Sequence, residues 1–151
     1  MDPRIAYREQ SAQGASKVAI VIALYDQAAH DLSQAILAVQ KGDIEGRSRE
    51  IDHALAVIGH LQGRLDHKQG GEIARNLDRF YDLVRKRLLE AQFASSAEIL
   101  REQRELLLSL RSAWVEVEQA ELRNKMAPQP KAPSAPKQAP SSEDSSSDWK
   151  V

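Results

Sequence analysis

The chain has 151 residues, the usual size of a single domain, and 42% of them are hydrophobic and 28% charged, so it can form a core and a soluble surface. Its 21 basic and 22 acidic side chains nearly cancel, which argues against a dedicated nucleic-acid-binding protein. The absence of cysteine excludes disulfides, thiolate zinc sites, iron–sulfur clusters and cysteine nucleophiles. No apolar run is long enough to span a membrane and the N-terminus lacks the layout of a secretory signal, so we expect a soluble, cytoplasmic protein.

The prolines divide the chain into a body and a tail. One is Pro3, and the other five lie between Pro128 and Pro140, where serine is also frequent. Proline costs about 3 kcal/mol inside a helix, so the proline-free body permits long helices, whereas the tail lacks the apolar residues needed to order it. The sequence therefore predicts an N-terminal arm at 1–15, a helical domain at 16–126 and a disordered Pro/Ser-rich tail at 127–151.

Four amphipathic segments with helical spacing follow one another in the body. The first has Ser16 as its N-cap and runs to about Gln40, and Asp43 caps the second. The pair Gly70-Gly71 breaks the chain before the third segment, and the link Ala94-Ser95-Ser96 precedes the fourth. Helices of roughly 25 residues joined by short links run antiparallel, so the sequence predicts an all-α, up-down-up-down four-helix bundle.

The second segment carries two repeats with a period of seven residues. An apolar seam, which we expect to face the core, runs through Ile44, Ile51, Ile58 and Leu65. A stripe of His53, His60 and His67 is displaced by two positions from this seam, so we expect it to face solvent.

Successive histidines of this stripe lie roughly 10 Å apart along a helix, too far apart to ligate one metal ion. The sequence also contains no Walker loop and no nucleophile elbow. We therefore expect no metal site, no cofactor and no catalytic residue. An exposed histidine on a bundle is also typical of phosphotransfer domains. A histidine phosphotransfer-type signalling bundle that uses His60 therefore stays open as the alternative function.

The first helical segment has more apolar residues than a single core-facing stripe requires. The eight residues that end at Tyr25 are all apolar or aromatic, and Ile20 and Leu24 point to a second side of the helix. An exposed apolar patch on a small domain marks a partner site. We predict that Ile20, Leu24 and Tyr25 line or support a partner groove, and that the arm carrying Ile5 and Tyr7 covers it.

Three motifs in the body match a known pattern. They are the run Ile20-Val21-Ile22-Ala23-Leu24-Tyr25-Asp26, the block Gly70-Gly71-Glu72-Ile73-Ala74-Arg75-Asn76-Leu77 with Phe80-Tyr81 after it, and the pair Ala113-Trp114. On these residues the sequence resembles the FliS family, the cytoplasmic export chaperones of bacterial flagellin, over roughly residues 7–117. The chain departs from the family at Gln27, where glycine is usual, and at Lys17 and Gln92.

The resemblance implies a non-enzymatic chaperone for flagellum biogenesis. Such a protein binds the C-terminal segment of flagellin, which is disordered in the free subunit, in apolar grooves. Binding prevents premature polymerisation and presents flagellin to the flagellar export gate for type III export. The matching residue of the movable arm is Tyr7. We expect neither nucleic-acid binding nor membrane insertion, and a monomer or a weak homodimer.

Overall fold

The computed structural model of the protein describes residues 16–126, which form four α-helices and contain no strand. The helices are α1 (Lys17–Lys41), α2 (Ile44–Gly63), α3 (His67–Ala94) and α4 (Ala97–Met126). No helix in this part of the chain is long and apolar enough to cross a bilayer. The predicted helical bundle is confirmed, whereas the predicted arm and tail lie outside the described residues.

The compact bundle comprises the described residues up to Glu118. Residues 119–126 belong to a second unit and form the last turns of α4, with mostly exposed side chains. All the sites considered below lie within the first unit.

Local capping interactions set the ends of the helices. Ser16 Oγ accepts a hydrogen bond from an amide of the first turn of α1 at 3.1 Å, and Asp43 caps α2 in the same way at 2.9 Å, so both predicted N-caps are confirmed. Asp66 caps α3 by accepting from two backbone amides at 3.1 and 3.0 Å. Gly42 (φ 73°) and Ser95 (φ 53°) end α1 and α3 in the left-handed conformation that closes many helices.

Polar contacts between α1 and α4 show that these helices run antiparallel. Asp26 of α1 pairs with Arg111 of α4, and Ser33 Oγ accepts a hydrogen bond from Arg104 Nη1 at 3.1 Å. A step of two turns forward along α1 thus corresponds to a step of two turns back along α4. Both arginines therefore clamp one antiparallel seam of the bundle.

A second antiparallel seam joins α2 and α3. Near the start of α2, Gln92 Nε2 of α3 donates to Ser48 Oγ at 2.9 Å. Near the end of α2, Gln62 Nε2 donates to Asp78 Oδ1 at 3.0 Å, close to the start of α3. The two contacts lie about four turns apart, so the helices remain aligned over most of the length of α2.

Helix α1 has more buried residues than any other helix, and it contacts all three of the others. Asp31 contacts α2, Tyr25 contacts α3, and Asp26 contacts α4. An element surrounded in this way needs apolar residues on more than one side. The additional apolar residues of α1 are therefore used within the bundle as well as near its surface, and Leu24 is 1% exposed in the hydrophobic core.

The buried face of α2 is wider than the predicted seam. Ile51 and Ile58 of the seam are fully buried, as predicted, but the buried face also includes Val57 and, one turn before it, His53, which is only 5% exposed. Ile44, at the start of the helix, is 64% exposed, so the prediction that it faces the core is wrong. The prediction that the histidine stripe faces solvent is therefore wrong for His53, because a face of this width includes positions on both sides of its centre.

Candidate functional site

An aromatic cluster joins three helices. The hydroxyl groups of Tyr25 on α1 and Tyr81 on α3 share a hydrogen bond at 2.6 Å, and the indole of Trp114 on α4 lies close enough to interact with the Tyr25 hydroxyl. Burial raises the pKa of both tyrosines above the usual value, and the pKa of Tyr81 is raised further by the neighbouring Tyr25. Both phenols are therefore neutral hydrogen-bonding groups, and the role of the cluster is to hold the helices together.

The three sequence motifs meet at this cluster. Tyr25 and Asp26 come from the first motif, Tyr81 follows the second, and Trp114 belongs to the third. Next to the tyrosines, Asp26 accepts hydrogen bonds from both Nε and Nη2 of the Arg111 guanidinium. Paired contacts of this kind fix orientation as well as distance. The motif residues consequently define how α1, α3 and α4 pack.

An apolar cleft of about 180 Å³ opens above the aromatic cluster. Tyr81 and Trp114 form part of its wall, and Ile73 stands at its rim with 69% of its surface exposed. The remaining apolar lining is Val21, Leu61, Leu65, Ala74 and Leu77. The cleft has room for a large apolar side chain, and its walls come from all four helices. It is therefore a concave apolar binding surface on a preformed scaffold.

Two glycines shape the wall of the cleft for different reasons. A Cβ at Gly70 would lie 2.8 Å from the Cβ of Ala74, so a larger residue would collide with the cleft lining. Gly71 has φ 51° and ψ −122°, a conformation that L-residues rarely adopt, although a Cβ there would meet no atom within 4 Å. The resulting kink in α3 turns the chain so that Ile73 and Leu77 line the cleft.

The predicted site residues lie at different depths. Ile20 is half-buried and packs against the core, whereas Leu24 and Tyr25 are 1% and 0% exposed. The latter two can support the cleft from below, but they do not line it, because α1 is enclosed by its neighbours. Ile5 and Tyr7 lie outside the described residues, so their predicted role in a covering arm stays a prediction.

The core also contains a polar cluster that the sequence analysis did not predict. Asp31 of α1 is fully buried, accepts a hydrogen bond from Gln27 Nε2 at 2.9 Å and contacts Nδ1 of His53 on α2. Buried charges persist when they are paired and hydrogen-bonded. Gln27, one of the departures from the family pattern, thus helps to hold a buried carboxylate.

The residues considered for other chemistry are less accessible than the sequence indicated. His60, the candidate for phosphotransfer, is half-buried and its Nδ1 is buried. Within residues 16–126 no three acidic or histidine side chains are grouped so that they could hold a metal ion.

Sequence reasoning missed the role of Ile73, Leu77 and Trp114 in the cleft, although it identified the motifs that contain them. A signal was available. In antiparallel helices, the start of the third segment and the later part of the fourth lie at the same end of a bundle. Apolar motif residues at both places should therefore have been expected to form one surface with the first turns of α1.

Comparison with known proteins identifies the family of the chain. A family model described as "Flagellar protein FliS" matches residues 1–121. The chain is 32% identical over 110 residues to the flagellar secretion chaperone FliS of Salmonella typhimurium, which covers 72% of this chain and 82% of that protein. It is 39% identical over 83 residues to the flagellar secretion chaperone FliSB of Pseudomonas aeruginosa, and this match covers 55% of this chain and 66% of that protein. It is 31% identical over 103 residues to FliS of Vibrio cholerae, and this match covers 68% of this chain and 76% of that protein. The chain therefore belongs to the FliS family of flagellar secretion chaperones.

Proposed function

We propose that this protein binds the C-terminal segment of flagellin in the apolar cleft and shields it until export. The observation that carries the proposal is the cleft itself, an apolar surface next to Trp114 with an exposed isoleucine at its rim. A disordered client loses several kcal/mol of ordering free energy on binding, so it needs concentrated apolar contact in return. The cleft offers such contact where α1, α3 and α4 converge.

The chaperone acts by occupancy and needs no catalysis. An amphipathic client segment places its apolar side chains along the cleft and the adjoining helix surface. While those side chains are covered, they are not available for subunit–subunit contacts in a filament. We further propose that the complex forms in the cytoplasm, that it delivers flagellin to the export gate, and that the arm with Ile5 and Tyr7 covers the cleft when no client is bound.

The fluorescence of Trp114 allows a direct test. The only other tryptophan is Trp149, so a Trp149→Phe chain reports on the cleft alone. Titration with a synthetic C-terminal flagellin peptide should change the Trp114 emission, with a dissociation constant in the micromolar range or tighter, since about 8 kcal/mol of binding free energy corresponds to micromolar affinity. No change of emission and no complex at micromolar concentrations would contradict the proposal.

Matched substitutions locate the site. Ile73→Asp places a charge at the rim and should weaken binding at least about tenfold, a loss of roughly 1.4 kcal/mol. Ile44→Asp is the control, because Ile44 is similarly exposed (64%) but lies at the opposite end of α2 from the cleft. His60→Ala should also bind normally. Equal binding by the Ile73 and Ile44 variants would show that the client uses a different surface.

The arm has its own test. If it covers the cleft, deletion of residues 1–14 should speed association of the peptide, because the cleft no longer has to be opened first. The dissociation rate should change less. Unchanged or slower association would assign the arm a different role and leave the proposal for the cleft intact.

A further inference from the structure

The kink in α3 lies inside the wall of the cleft. Residues 66–70, which we call the flap, comprise the N-cap and the first turn of α3 and precede the kink at Gly71. Asp66 and Gly70 of the flap line the cleft, and so do Ile73 and Leu77, which follow the kink. The shape of the cleft therefore depends on the backbone conformation of Gly71.

The flap is held in shape by local hydrogen bonds. Asp66 Oδ1 accepts from the amides of Lys68 and Gln69 at 3.1 and 3.0 Å, and the Gly70 amide donates to the Asp66 carbonyl at 2.7 Å. The side chains of His67, Lys68 and Gln69 are exposed, and in the described part of the chain they make no hydrogen bond or ion pair with another helix. A segment of this kind can move as a unit without breaking contacts to the bundle.

Gly71 has the properties of a hinge between the flap and the rest of α3. Its φ of 51° and ψ of −122° are far from the helical values on either side of it. Glycine adopts positive and negative φ about equally well, so the helical conformation is also open to this residue. A Cβ at Gly71 would meet no atom within 4 Å, so the backbone has room to turn. Hinges are usually made by a few residues that absorb such changes of φ and ψ.

The kink brings the flap unusually close to the following turn of α3. A Cβ at Gly70 would lie 2.8 Å from the Cβ of Ala74. In a regular helix, Cβ atoms four residues apart are separated by about 5–6 Å. If Gly71 became helical, the end of the flap would therefore move away from Ala74, which lines the cleft, by roughly 2–3 Å.

The kinked conformation leaves a cleft that is small for the proposed client. Its volume of about 180 Å³ has room for one large side chain. An amphipathic helix is about 10–12 Å across with its side chains, so it needs a wider and longer groove. A binding site for several client side chains therefore requires that part of the wall withdraws.

We propose that Gly70 and Gly71 form a hinge that opens the cleft. When Gly71 becomes helical, α3 straightens, the flap withdraws from the wall, and the cleft becomes a groove along α3. The free protein is mainly kinked and the client selects the straight form, so the apparent affinity is reduced in proportion to the small straight population. The hinge rests on the proposed function only for the identity of the client.

Substitution of the hinge tests its effect on binding. Alanine is strained at φ 51° but favoured in a helix, so Gly71→Ala should populate the straight form. In the fluorescence titration, the C-terminal flagellin peptide should bind this variant about tenfold more tightly than wild type. Gly70→Ala should act in the same direction, because its Cβ collides with Ala74 only in the kinked form. Gly63→Ala is the matched control, a helical glycine with open space around it, and should leave the affinity unchanged.

Distances between spin labels test the hinge without any client. Because the chain has no cysteine, labels can be attached at Asp52→Cys and Lys68→Cys, two exposed positions on α2 and on the flap. Gly71→Ala should shift this distance by roughly 2–3 Å or more. The control pair Asp52→Cys and Arg79→Cys places the second label on α3 beyond the kink, and its distance should not change. A saturating flagellin peptide should shift the first distance of the wild-type chain in the same direction as Gly71→Ala.

The outcomes separate the hinge from the proposed function. Equal or weaker peptide binding by Gly71→Ala would make the kink a fixed part of the site and overturn the hinge. An unchanged label distance in this variant would overturn it as well. Absence of peptide binding in every chain contradicts the proposed function instead, and the label distances without peptide still decide about the hinge. Circular dichroism checks the helix content, and Gly70→Ala provides the same test if Gly71→Ala does not fold.

Discussion

The Tyr25–Tyr81–Trp114 cluster leads to a prediction about the order of three stabilities. Tyr25 lies between the other two groups, because its hydroxyl shares a hydrogen bond with Tyr81 and also interacts with the indole of Trp114. Tyr25→Phe therefore removes a partner from both neighbours at once. Tyr81→Phe removes a partner from Tyr25 alone, and Tyr25 keeps its contact with the indole.

The magnitudes follow from burial. After Tyr25→Phe, the hydroxyl of Tyr81, which is 1% exposed, loses its partner at a cost of about 1–3 kcal/mol. Trp114 is half-buried and can regain part of its loss from water, so we expect about 2–4 kcal/mol in total. Tyr81→Phe should cost about 1 kcal/mol, the net value of one hydrogen bond. The double variant buries no unpaired hydroxyl, so it should cost less than the sum of the single variants.

Urea unfolding followed by circular dichroism measures all four proteins. The free energy of unfolding should fall in the order wild type, Tyr81→Phe, Tyr25→Phe, with a double-mutant coupling of about 1 kcal/mol or more. The slope of the unfolding transition should stay constant, which shows that the substitutions change stability and not the surface exposed on unfolding. Equal losses for the two single variants, or strict additivity, would refute the assignment of Tyr25 as the central group.

Three further predictions concern the fold. Gly71→Ala should lower the free energy of unfolding by about 1–3 kcal/mol, because alanine is strained at φ 51°. Gly63→Ala has open space around it and should not destabilise the protein. Equal thermal midpoints for the two variants would contradict the strain at Gly71. His53→Ala leaves the carboxylate of Asp31 without its histidine and should cost about 3–5 kcal/mol, whereas the exposed His67→Ala should change stability by about 0.5 kcal/mol or less in urea unfolding. Burial raises the pKa of Tyr25 and Tyr81, so the unfolded chain loses these protons first as pH rises, and the contribution of the two tyrosines to stability should be constant below their usual pKa. Above pH 10 the free energy of unfolding should fall by about 1.4 kcal/mol per pH unit for each buried tyrosine. Unfolding midpoints that stay level between pH 10 and about pH 11 would contradict this.

Local interactions explain which features could be read from the sequence. Ser16 and Asp43 cap their helices through amides a few residues away. The glycine pair was predicted to break the chain before the third helix, but α3 already begins at His67 and Gly71 only kinks it through its own backbone. Such features depend on neighbours in sequence, so the number of helices, their approximate ends and the bundle class follow from the pattern alone. The motifs that indicate the family are short runs of the same kind.

The depth of each side chain was decided by tertiary packing. Leu24 is enclosed because α1 contacts three helices, and His53 is buried because the buried face of α2 is wider than its isoleucine repeat indicated. The cleft joins Val21 with Ile73 and Trp114, residues that lie far apart in sequence. Helical periodicity determines which residues share one side of a helix, but it does not determine how far each helix is rotated against its neighbours. That rotation is set by the best simultaneous packing of all four helices, and it decides which apolar residues fill the core and which remain open to a partner.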